Sequence, residues 1–211
     1  GGATRWEISG GRGDLRRLPS IGSGTVSAAR VVPVIDVVLD RLQISDSLAL
    51  SPFRGRFGGE AAFTGQFAGA VNWAAEVQGS VLPDGTGRNS YVVRSDDAGA
   101  VFRAAGIFSR GYGGTMDLRI TEDETDGNYT GRVRAAGLRV RDAPVLAELL
   151  GLISVVGLLE QMSGEGILFS DVEGRFAIRP DRVILREGRA AGASLGVTMQ
   201  GVFDRATEQL D

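Results

Sequence analysis

Apolar and polar side chains alternate with a period of two through most of this chain, which confines it to β-strands with one face covered and one in water. Ala61, Phe63, Phe67, Val71 and Trp73 share one parity, and Met116, Leu118 and Ile120 share the face of another short segment. The pattern returns in Phe176 and Ile178, in Val183 and Leu185, and in Leu195, Val197, Met199 and Phe203. Turn signals separate these runs at hairpin spacing: Pro83-Asp84-Gly85, Asp126-Gly127-Asn128, Pro180-Asp181 and Asp204-Arg205. Loops this short leave no room for crossover helices, so the spacing predicts an antiparallel sheet. Glycine also falls inside strand patterns, at Gly65, Gly69, Gly131, Gly196 and Gly201. That predicts a strongly twisted, curved sheet that other surfaces can approach closely.

Two segments break the alternation. Asp97 to Phe108 reads as a short helix, with Asp96 or Asp97 as N-cap and Gly106 as its end. Arg139 to Gly166 reads as a long apolar helix over 143–162, with Asp142 as N-cap, Pro144 in the first turn and Gly164 or Gly166 as the stop. From Val145 to Leu159 the only charged side chain is Glu148, so such a helix needs cover nearly all round. The run is shorter than the roughly 20 residues a bilayer core demands, which makes it a helix of a folded domain. At 100° per residue, Val145, Leu149, Leu152, Val156 and Leu159 form one seam flanked by Leu146 and Ile153, with Gly151, Ser154 and Gly157 on the other side.

Composition removes most chemistry. All 23 basic residues are Arg, and His and Cys are absent. Schiff bases, P-loops, the usual proton shuttle, thiol nucleophiles, zinc sites and disulfides are therefore excluded. Serine has no His or Lys to activate it, so no enzyme is expected and no catalytic residue, metal or cofactor is assigned. Near-even charge, 23 basic against 26 acidic, with few aromatics argues against nucleic acid. The cluster Glu122, Asp123, Glu124, Asp126 and Gly127 resembles the start of a calcium loop, but position twelve is Val133 where a bidentate Glu is needed. A solvated hairpin tip is the better reading. Gly22-Ser23-Gly24 and Gly111-Tyr112-Gly113 lack the third glycine of a dinucleotide loop.

The segments SDDAGAVFRAAGIF (Ser95 to Phe108), GGTMDLRI (Gly113 to Ile120), RVRDAPVLAELL (Arg139 to Leu150), SVVGLLEQMSGEGILFSDVEGRFAI (Ser154 to Ile178) and GASLGVTMQGVFD (Gly192 to Asp204) together resemble the C-terminal region of AsmA-like proteins, in particular the YhdP branch. The resemblance is specific from Ser95 onward and looser over 1–94. It implies a module of a longer, inner-membrane-anchored, mainly periplasmic envelope protein, anchored by a segment outside this chain, that moves phospholipids between inner and outer membranes and supports outer-membrane integrity.

The expectation is thus a single module over 1–211: mainly β, with a curved, strongly twisted antiparallel sheet forming a groove, a short helix and one long apolar helix. Phospholipid acyl chains are the expected partners, held by Phe63, Phe67 and Trp73 in the groove and by Val145, Leu146, Leu149, Leu152, Ile153, Val156 and Leu159 on the helix. The alternative is a structural or docking domain that binds an envelope protein and no lipid.

Overall fold

Among the described residues, alternation becomes one open β-sheet of 15 strands. The computed structural model describes residues 5–17, 32–59, 62–125, 127–141, 166–193, 196–204 and 209–210. In chain order the elements are β1 (Arg5–Ser9), β2 (Arg12–Asp14), a 3-10 turn (Leu15–Arg17), β3 (Val32–Leu39), β4 (Arg41–Gln43), β5 (Ala49–Gly59), β6 (Thr64–Val71), β7 (Ala75–Pro83) and β8 (Asn89–Ser95). Then come α1 (Ala98–Ala104), β9 (Gly111–Tyr112), β10 (Thr115–Glu122), β11 (Tyr129–Val140), β12 (Ile167–Ile178), β13 (Arg182–Gly192), β14 (Gly196–Asp204) and β15 (Gln209–Leu210). The main path runs β1-β3-β5-β6-β7-β8-β10-β11-β12-β13-β14-β15, with β2, β4 and β9 pairing at its margin.

This corrects the expected fold in two respects. The sheet is mixed, because β1 pairs with β3 and β2 with β4 in parallel. From β3 onward the path obeys the hairpin logic, but a long stretch separates β2 from β3, and a connection of that length permits parallel pairing. Among the described residues the only α-helix is the short α1, and none is long and apolar. The long apolar helix expected over 143–162 falls on residues outside those described. α1 itself is shorter than the expected 97–108. Asp97 caps it, accepting from the Ala100 N–H at 2.8 Å, and Gly106 at φ +71° turns the chain away just past its end.

The register divides the side chains into two faces. On one, a row crosses from β1 to β8 through Trp6, Ile35, Phe57, Gly65, Val81 and Tyr91, each opposite the next. It continues to β14 through Ile120, Gly131, Phe176, Leu185 and Gly201. A parallel row begins with Ile8, Val37, Gly55, Phe67, Gly79 and Val93, and ends with Leu118, Val133, Gly174, Gly188 and Met199. Neither row holds a charge. The row between them, on the opposite face, includes Glu7, Asp36, Arg56, Arg119, Arg132, Arg175 and Glu187. A bulge where Arg186 and Glu187 oppose Arg175 keeps both halves of β13 in phase with this division.

α1 lies over one end of the apolar face. Its Ala98 and Val101 join Phe53, Val77, Met116, Ala135 and Leu138 in the main core, all buried. A Cβ on Gly99 would stand 2.5 Å from the Tyr112 backbone, so this glycine is what lets the helix rest directly on β9. A smaller core gathers Val140, Ile167, Phe169 and Ala190 near the same end.

Candidate functional site: the apolar face

Aromatic rings lie flat along the apolar face, each on a glycine of the next strand. Phe57 covers Gly65, Phe67 covers Gly79 and Phe176 covers Gly131, and in each case the ring and the glycine are direct cross-strand partners. A Cβ at any of the three glycines would sit 2.2 Å from a ring atom. Met199 treats Gly188 in the same way. The missing side chain is what lets each ring fold down, so the strand glycines serve packing and the face becomes a thin apolar layer.

Of the residues expected to line the site, Phe63 and Phe67 come together. Phe63 stacks on Phe57 at 5.7 Å, Phe57 on Phe53 at 6.4 Å, and Phe53 meets Phe67 at 6.0 Å, giving a short aromatic file. Trp73 does not join them. It occupies the β6–β7 turn at φ +69°, 62% exposed, beside Asn72 at φ +47°. The turn is fixed through Asn72, whose Oδ1 accepts from the Ala49 N–H at 3.0 Å and whose Nδ2 donates to Ser47 O and Ala104 O, both at 2.8 Å. Val145, Leu146, Leu149, Leu152, Ile153, Val156 and Leu159 lie outside the described residues. Sequence reasoning missed Trp6 and Ile8 on the edge strand, 57% and 47% exposed, and Met199 and Phe203 on β14, 51% and 39% exposed, as the lateral margins of the same face. Their alternation was visible in the chain, but the pairing that places β1 beside β3 was not.

A polar network closes the end of the face away from α1. Tyr91 Oη donates to Glu122 at 2.7 Å, and Asn89 adds weaker bonds to the same carboxylate at 3.2 and 3.3 Å. Burial, reinforced by the Glu122 carboxylate, pushes the Tyr91 phenol well above its ordinary range. A carboxylate at the margin of an apolar layer is tolerated because these donors satisfy it.

The opposite face is ordered by charge. Asp36 accepts from Arg56 Nε and Arg5 Nε, each at 2.6 Å, and Arg94 Nε reaches Asp117 at 2.9 Å. Glu173 takes Arg134 Nε at 2.7 Å and Arg132 Nη2 at 3.1 Å. The Asp36 carboxyl is held below its usual range, chiefly by Arg56 and further by Arg5. For Glu173 burial pulls upward, but Arg132 and Arg134 outweigh it and the net shift is also downward. A depression of about 670 Å³ lies on this charged face, between β3 and β8.

Among the described residues no group of His, Cys, Asp and Glu is placed to hold a metal ion, and no helix is long and apolar enough to cross a membrane. No family model, curated protein or solved structure matches the chain.

Proposed function

We propose that the apolar face is a bed for phospholipid acyl chains, and that the chain is a lipid-handling module of an inner-membrane-anchored periplasmic protein that moves phospholipid between the inner and outer membranes. The observation that carries this reading is the pair of uncharged rows running from β1 to β14, with exposed Trp6, Ile8, Met199 and Phe203 at their two sides. Between those margins most residues of the rows are half-buried, and exposed apolar patches on a protein surface mark sites that something apolar covers. An acyl chain laid across the rows would gain roughly 0.8 kcal/mol per methylene removed from water, so two tails are held without a specific polar site. The envelope setting is supported by the resemblance to AsmA-like proteins alone.

A second reading, a structural or docking domain that holds no lipid, is favoured by one observation. The rings folded onto Gly65, Gly79 and Gly131 already cover part of the face from within. Native mass spectrometry of the protein purified from membranes in mild detergent separates the two. Phospholipid adducts that survive gentle activation support the lipid bed. A bare protein mass, with a co-purifying protein partner in its place, supports docking.

A further inference from the structure

We infer that the charged face carries a second binding site, for an acidic glycan, in the depression spanning β3 to β8. Three guanidiniums, of Arg54, Arg56 and Arg94, and one carboxylate, Asp36, line it, in a chain whose net charge is -3. Asp36 is already shared between Arg5 and Arg56, and Arg94 has the exposed Asp117. Arg54 has no ion-pair or hydrogen-bond partner among the described residues. The lining is therefore locally cationic, with one guanidinium uncommitted among the described residues.

The floor specifies the ligand more closely. Between Arg54 and Arg94 the register places Ala68 and then Gln78, and in the adjoining row Gln66 and Ser80 lie between Arg56 and the buried Val92. The side chains of Gln66, Gln78 and Ser80 have no hydrogen-bond partner among the described residues, so neutral donors and acceptors lie free on the floor beside the apolar Val38, Ala68 and Val92. Three strand spacings separate Arg54 from Arg94, roughly 14 Å at about 4.8 Å per step. A continuous polyanion would waste the uncharged floor. A nucleic acid would need stacking platforms, and the two charged-face rows that cross the site, from Glu7 to Glu187 and from Ser9 to Thr198, include no aromatic residue. Hydroxyl-rich rings bearing widely spaced carboxylates satisfy both parts: carboxylates on the guanidiniums, hydroxyls on the amides and Ser80. This site does not rest on the lipid reading: its arginines, amides and Ser80 belong to the charged rows, and Val37, Gly55, Phe67 and Gly79, which also border the depression, are the strand residues between those rows, with the Phe67 ring folded onto Gly79.

The test is fluorescence anisotropy of a labelled hyaluronan hexasaccharide, which carries one carboxylate per disaccharide, with the 211-residue chain. Saturable binding is expected, weakened about tenfold by Arg54→Gln and again by Arg94→Gln, since each removes a charge-assisted contact. Arg189→Gln, an exposed arginine several strands away on the same face, should leave it unchanged. Circular dichroism melts of each variant establish that folding is intact. The proposal is overturned if no binding occurs, if Arg189→Gln weakens it as much as Arg54→Gln, if neutral maltohexaose binds equally well, or if inorganic phosphate displaces the probe as effectively as unlabelled hexasaccharide.

Discussion

Along β5 the chain reads Phe53, Arg54, Gly55, Arg56, Phe57, and each successive residue belongs to the other face of the sheet. The odd positions are chosen for shape: rings, and glycines small enough to lie beneath rings. The even positions are chosen for charge, and their order is set by the partner strands, so that one carboxylate serves two guanidiniums at Asp36 and again at Glu173. On the apolar face a change of one methyl group alters contact distances by more than the packing can absorb. On the charged face the pairs are wet, and each is worth little by itself. Stability therefore resides mainly on one side of the sheet, and the other side is free to vary or to bind.

Four measurements probe that contrast. Phe53→Ala, at a position 4% exposed, should cost about 3–5 kcal/mol in chemical denaturation, while Arg54→Ala beside it should stay within about 0.5 kcal/mol. Equal losses at the two positions would break the distinction between the faces. Gly79→Val should cost about 1–3 kcal/mol by lifting the Phe67 ring, and the neighbouring Ser80→Val should be close to neutral. If the ring is the cause, Phe67→Ala in the Gly79→Val background should recover part of that loss, a coupling that a double-mutant cycle reads directly. Tyr91→Phe should cost about 1 kcal/mol by leaving Glu122 one donor short at the margin of the apolar layer. Smallest of all, Asp36→Asn should lower the melting temperature slightly at low ionic strength and not at all in high salt.

The charged face also fixes the pH dependence. Asp36 and Glu173 are both held below their ordinary carboxylate values in the folded chain. Their contribution is fully present above the unfolded-state pKa values, about 4, and is lost as pH falls through the lower folded values. With no histidine in the chain, the melting temperature should stay flat through neutrality and drop only below about pH 4. A transition near pH 6 would contradict this assignment.

Much of the face division was legible in the sequence, because side-chain alternation does not depend on which strands pair. Met116, Leu118 and Ile120 point together as their parity required, and so do Val183 and Leu185. Trp73 shared the parity of Phe67 but not its surroundings, because the strand ends at Val71 and Asn72 and Trp73 turn the chain in left-handed conformations. Parity is informative only while a strand lasts. The parallel pairing of β1 with β3 was not legible either, since no local signal fixes a partner across a long connection. In-strand glycines such as Gly65 and Gly131 predict twist and close approach of another surface, whereas these two, together with Gly79, are seats for rings. That role depends on the residue opposite, which register alone reveals.

The central claim, that acyl chains rest on the uncharged rows, is tested most directly by placing a photo-crosslinking amino acid at Phe67 and at Phe176 on the apolar face and at Gln78 on the charged face. The protein would then be irradiated in cells fed radiolabelled phospholipid precursor. The account predicts labelled lipid adducts at Phe67 and Phe176 and none at Gln78. Adducts at none of the three, or at Gln78 as strongly as at Phe67, would contradict it.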